Sequence, residues 1–213
     1  MEITLIKDNK QQTHKMPMHW NDITLETYVK VIKKAKQVGL RELEKVVHII
    51  NIISGIDEKD LLRLPTKNIA QLGGYVGGLI KSLPEDELKH IIEIDGVEYG
   101  FNPKLSDISM GEWVDIDTYI SNGVEDNLHK IMSVLYRPIT NKIDDKYRIE
   151  EYKPCKVRQE LFKTKMKVGD FYGVSVFFSD LGRELLQTTL KSSIAALKQK
   201  SQDRDLDTIT DKK

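Results

Sequence analysis

The chain has 213 residues, enough for one large domain or two small ones. Hydrophobic residues make up 39%, which allows a packed core, while 33 basic and 33 acidic residues cancel. A net charge of zero excludes a general pull toward nucleic acid or an anionic membrane, and no long-range repulsion opposes self-association.

The single cysteine, Cys155, excludes an internal disulfide and suits a reducing compartment. No stretch approaches the about 20 apolar residues of a membrane span. Residues 1–5 lack the basic and apolar regions of a signal peptide. The expectation is a soluble protein made in a cytoplasm.

The chain opens on a hairpin. Ile3 to Ile6 favour a strand, Asp8, Asn9 and Lys10 a turn, and a weaker strand runs to about Met16 before Pro17. Thr24 can cap a helix whose Leu25, Tyr28, Val29 and Ile32 share one face. A turn near Gly39 leads to a second helix striped by Leu43, Val46, Val47 and Ile50, ending around Ser54 and Gly55. Asp57 can cap a short helix through Leu64, ended by Pro65. Lys67 to Leu83 reads as another helix, weakened by Gly73, Gly74, Gly77 and Gly78. Those glycines are no phosphate loop, because Leu79 and Ile80 follow where Lys and Ser or Thr would be needed.

A second hairpin follows. Residues 91–94 and 97–101 flank Asp95 and Gly96, a pair that supplies the positive φ angles of a tight turn, and Pro103 closes it. Ser109 with Glu112 fits a capping box for a helix whose face begins with Met110, Trp113 and Val114. After Gly123 comes a stripe of Leu128, Ile131, Met132 and Leu135, which must stop or kink at Arg137 and Pro138. Residues 141–167 read as a polar insertion. A long helix is expected from about Val168 to Gln199. Val174, Phe178, Leu181 and Leu185 mark one side of it, and Leu186, Leu190, Ile194 and Leu197 continue with a drift. The charged tail, 201–213, is expected to be disordered or extended alone.

The two halves align at an offset of 85 residues. Residues 20–25 read against 105–110, Tyr28 and Val29 against Trp113 and Val114, and Leu43, Val46, Val47 and Ile50 against Leu128, Ile131, Met132 and Leu135. The fold class expected is α+β, mainly helical. It is built by internal duplication of a β-hairpin plus helical-pair unit and ends in a long C-terminal helix. The first repeat takes residues 1–88 and the second 89–200, with the charged tail behind them.

Little chemistry is left over. His14, His19, His48, His90 and His129 show no metal-ligand spacing, and Asp115 and Asp117 lie two apart, off a common helix face. Ser175 and Ser179 lack a nucleophile-elbow context. No catalytic, cofactor-binding or metal residue is assigned, and no cofactor is expected. Two contact surfaces are. Leu186, Leu190, Ile194 and Leu197 form a candidate assembly interface. Lys163, Lys165 and Lys167, in the basic stretch 153–167 with Tyr152 and Phe162, could touch nucleic-acid phosphates or an acidic partner.

Four motifs in order carry a resemblance: residues 107–115, residues 128–139, residues 147–152 and residues 177–182, the last reading Phe-Phe-Ser-Asp-Leu-Gly. Together they resemble small virion or morphogenesis proteins of tailed bacteriophages, including crAss-like phages, over most of residues 15–190. The resemblance implies a non-enzymatic virion structural protein, a ring-forming neck or tail connector subunit near the portal. It would be a homo-oligomer partnered by portal, neck or tail proteins, located in the virion and made in the host bacterial cytoplasm. The alternatives are a virion cargo protein, a tail assembly chaperone, or a nucleic-acid-binding module using residues 153–167.

Overall fold

The computed structural model describes residues 2–7, 10–82, 87–102, 108–144 and 146–174. The chain divides into two compact units, 1–173 and 174–213, and the second lies outside the described residues apart from Val174. The architecture is α+β, mainly helical, with two small antiparallel sheets.

Strands β1 (Glu2–Lys7) and β2 (Lys10–Lys15) form the first hairpin, paired from Glu2↔Lys15 to Lys7↔Lys10. A single 3-10 turn, Trp20–Asp22, then leads into α1 (Leu25–Lys36) and α2 (Glu42–Ser54). The Thr24 side chain accepts from the Thr27 N–H and so caps α1. Gly39, at φ 90°, makes the turn between the helices, and Gly55, at φ 70°, ends α2 in the left-handed conformation. The short α3 (Glu58–Leu61) carries Asp57 as its cap, and α4 (Thr66–Lys81) starts after Pro65.

These elements enclose a first core. Ile50, Ile56 and Leu61 are fully buried, with Val31, Val47, Ile69 and Val76 around them, and Leu5 and Tyr75 lean on the cluster. At Gly73 a Cβ would come within 3.1 Å of Val46, so a small residue here lets α4 approach α2. Of the four glycines in this stretch Gly73 alone serves that packing, because a Cβ at Gly74, Gly77 or Gly78 would meet nothing within 4 Å among the described residues.

The second sheet has the order β3-β4-β5-β6, with β3 (Ile91–Ile94), β4 (Val97–Phe101), β5 (Tyr136–Ile143) and β6 (Lys146–Ile149). Asp95 and Gly96 take φ 50° and 77°, the turn their sequence demands. Between β4 and β5 lie α5 (Met110–Ser121) and α6 (Val124–Leu135), and α7 (Lys156–Lys165) follows β6. Residues 141–167, read from sequence as a polar insertion, thus hold the end of β5, β6 and α7. The α6 stripe ends at Leu135, and Pro138 lies inside β5, where its carbonyl accepts from the Glu150 N–H at 2.9 Å. Residues 168–174 are helical again. The rest of the expected long helix, with Leu186, Leu190, Ile194 and Leu197, lies outside the described residues.

Aromatic edges knit the second core. Phe101 meets Tyr136 at 5.3 Å between ring centroids, Tyr99 meets Phe162 at 5.0 Å, and both pairs are close to perpendicular. The halves are then joined by a bridge. The Leu25 N–H donates to the Met166 carbonyl at 2.8 Å and the Val168 N–H to the Ile23 carbonyl at 3.0 Å. Beside it, Tyr28 contacts Trp20 and Phe171 edge-on at 5.8 and 5.3 Å. The Trp20 indole N–H donates to the Leu79 carbonyl at 2.8 Å.

Gly100 makes the sheet testable. A Cβ there would overlap the Tyr147 ring, whose hydroxyl lies 2.7 Å from the Phe101 carbonyl and 3.0 Å from that of His90. Gly100→Ala is expected to push the ring off these carbonyls and to destabilise by about 1–3 kcal/mol, the usual range for overpacking. Urea unfolding measures it. An unchanged midpoint would show that Tyr147 does not hold this edge.

Candidate interaction surface

Helix α5 decides what the second half shows to solvent. Its cap is complete: the Ser109 N–H and hydroxyl donate to Glu112 Oε2 at 2.8 and 2.6 Å, and the Glu112 N–H returns to Ser109 Oγ at 3.3 Å. Glu112 does not stay on the surface. Its other oxygen takes Arg137 Nη2 at 2.7 Å and Asn102 Nδ2 at 3.4 Å, and the Glu112 and Arg137 side chains are only 6% and 7% exposed. A buried carboxylate is tolerable only when its lone pairs are met by donors, as they are here.

Arg137 is held from the other side by the Tyr152 ring, 5.8 Å from the guanidinium carbon. Burial lowers its pKa while Glu112 pulls the other way. Among the described residues its Nε meets no hydrogen-bond partner. The Tyr152 hydroxyl donates to Asp115, and burial together with that carboxylate pushes the phenol pKa up. A second buried guanidinium, Arg158, donates to the Ser133 carbonyl at 3.1 Å and to Glu150 at 3.0 Å. Lys153 and Arg158 together keep the Glu150 carboxyl below its ordinary range.

This polar inner face has an outward consequence. The inward residues of α5 are Glu112 and Ile116, so the apolar residues read from sequence as its packing face point the other way. Met110 is 76% exposed, Trp113 55%, Val114 51% and Ile120 46%. At helical spacing these four fall on one side, with the exposed Asp117 among them. In α1, by contrast, the matching Leu25 is buried and Tyr28 and Val29 are half-buried. Sequence reasoning misplaced the α5 face because periodicity gives its existence and not its direction. Glu112 in the capping box was the available signal.

The other candidate surfaces are occupied by their own charges. Lys163 pairs with Glu160 at 3.1 Å, Lys165 approaches Asp95 at 3.8 Å, and Lys167 Nζ lies 3.5 Å from the Asp22 carbonyl. These three do not form a free cationic strip. A cleft of about 650 Å³ is lined by His19, Trp20, Asn21, Ser82, Lys89 and His90 among others. There Lys89 is taken up by Asp170 at 3.0 Å and its carbonyl by the Tyr136 hydroxyl at 2.5 Å. Among the described residues no group of three or more His, Cys, Asp or Glu could hold a metal ion, and no helix is long and apolar enough to cross a membrane.

Comparison with known proteins leaves the surface to be read from its own chemistry. No family model matches the chain, and no curated protein or solved structure matches it.

One group in the groove between α1 and α6 ties stability to pH. His129 lies there beside Leu25, Val29 and Lys33, and its pKa is lowered by burial first and then by Lys130 and Lys163. Folding therefore favours the neutral ring. The stability this contributes is complete above the unfolded value of about 6.5 and is lost as pH falls through the lower folded value. His129→Gln should remove stability loss in that window. The loss from the depressed carboxyls of Asp22, Glu125 and Glu150, which begins below their unfolded values, should remain. Urea midpoints across pH check this. An identical pH profile in the variant would mean that His129 does not titrate with folding.

Proposed function

We propose that this chain is a non-enzymatic structural protein of a tailed-phage virion, repeated as a ring-forming connector subunit at the neck or tail near the portal. The observation that carries the reading is the exposed apolar face of α5. A chain that is 31% charged nonetheless presents Met110, Trp113, Val114 and Ile120 together to solvent. Contiguous apolar surface of this kind marks a contact with another macromolecule. The motif resemblance at 107–115, 128–139, 147–152 and 177–182 supplies the phage setting.

The repeated-unit reading belongs to the same proposal. Helices α1 and α5 have the same length and both their ends lie 85 residues apart. Thr24 and Ser109 cap them at the same offset. Val31 and Ile116 are buried at that offset, as are Val47 and Met132, and Ile50 and Leu135. A duplicated unit whose second copy turns its apolar face outward suits a protein that uses one half for stability and the other for assembly. The long helix through Gln199 is retained as part of the reading, and the helical residues 168–174 support it.

Cryo-electron microscopy of purified particles of the phage that encodes the chain, with mass spectrometry of their proteins, tests the assignment. The expected result is a stoichiometric component resolved as a ring beside the portal. Presence in the lysate but not in particles would replace the reading with an assembly chaperone. Release from inside the capsid together with DNA would replace it with a cargo protein.

A further inference from the structure

The first hairpin leaves a strand edge open. Among the described residues β1 pairs with β2 alone, in a register that joins Lys7 to Lys10 across two residues. In an antiparallel pair, residues that exchange both backbone bonds alternate with residues whose N–H and C=O turn away. So tight a connection makes Lys7 and Lys10 an exchanging pair, and Leu5 with Gln12 and Ile3 with His14 follow. The backbone groups of Glu2, Thr4 and Ile6 therefore point outward from β1. Among the described residues no backbone hydrogen bond reaches them. Ile3 and Leu5 pack against the first core, so the strand is seated on the body.

An open edge invites another strand, and natural sheets blunt their edges with charge and short length. The other outer edges of the described sheets are blunted in this way. Strand β2 carries Lys10, His14 and Lys15, while β3 and β6 have four residues each and carry Glu93 and the pair Lys146 and Arg148. Strand β1 has six residues and no charge from Ile3 to Ile6. It ends in one acid and one base, Glu2 and Lys7, so pairing it with itself gathers no net charge. We infer that the outward edge of β1 is an interface between two copies of this chain, joined as antiparallel strands about a two-fold axis at Thr4. That register sets Thr4 against Thr4, and Glu2 of each copy against Ile6 of the other, so every outward residue of β1 is paired. It also sets Ile3 against Leu5 of the second copy on the side that faces the cores, and no like charges oppose each other. The rival, β1 of one copy on β2 of the next, would repeat head-to-tail every two strands, about 10 Å. A compact body of the size of residues 1–173 is roughly 40 Å across, so it cannot repeat at that spacing. A two-fold contact closes after two copies. The inference goes beyond the virion assignment, and its failure would leave that assignment standing.

The test uses the full-length chain, with association measured by analytical ultracentrifugation across concentration. Thr4→Pro removes an N–H that points out of the hairpin, so the bonds between β1 and β2 are kept. Thr13→Pro does the same to the outward edge of β2 and serves as the matched control, since Thr4 and Thr13 face each other and both are exposed. Circular dichroism and urea midpoints of the two variants should agree. The parent should associate in pairs, and Thr4→Pro should weaken pairing by about tenfold or more through the two hydrogen bonds lost. Thr13→Pro should leave pairing at the parental strength. Thr4→Lys and Thr4→Glu each set like charges face to face across the axis, so each alone should pair weakly and their mixture should form a heterodimer. Any of four results overturns the inference: a parent that is monomeric at every concentration, an association that Thr4→Pro leaves unchanged, a loss as large in Thr13→Pro, or a mixture of the two charged variants that pairs no better than either alone.

Discussion

The unit spanning residues 2–173 depends on a two-bond bridge between segments far apart in sequence. Leu25 and Met166 share one backbone hydrogen bond, and Val168 and Ile23 the other. All four side chains are buried, so the peptide groups there must be paired with each other. The bridge fixes the entry of α1 against the exit of α7. It also sets Tyr28 between Trp20 and Phe171, and through the Trp20 indole it reaches the end of α4. Without it, the first core around Ile50 and the second around Tyr136 would be two small hydrophobic clusters. Small clusters bury a poorer share of their surface.

A second constraint sets what that unit displays. Burying Glu112 commits α5 to face Arg137 and Asn102, and the apolar side of the helix is then turned to solvent. Breaking a buried pair of this kind leaves an uncompensated charge, a change of roughly 3–5 kcal/mol. The helix thus has little freedom to roll its apolar side inward. The exposed face is in this sense a product of the polar interior, and the proposed assembly role follows from the same residues that order the core.

Much of the local structure was legible in the sequence. Asp95 and Gly96, the caps Thr24, Ser109 and Asp57, and the glycine breaks at Gly39 and Gly55 all act within a few residues, so their chemistry is readable without the fold. The helix expected at 67–83 lies within α4 to within one or two residues. What escaped depends on distant partners. The direction of the α5 face is set by Arg137, 25 positions on. Strand β6 and helix α7 were hidden by their charge, yet Arg158 is buried because Glu150 and the Ser133 carbonyl neutralise and satisfy it. Lys165 and Lys167 read as a basic strip, and their acceptors come from the Asp95 turn and the Trp20–Asp22 turn.

The central claim is that the bridge makes residues 2–173 one cooperative body. Native-state hydrogen exchange at the Leu25 and Val168 amides tests it most directly. If the claim holds, both amides exchange only through global unfolding, with the same opening free energy and the same denaturant dependence as the core amides of Ile50 and Ile131. If they exchange by a local opening insensitive to denaturant while the Ile50 and Ile131 amides stay protected, the two cores stand independently and the account is wrong.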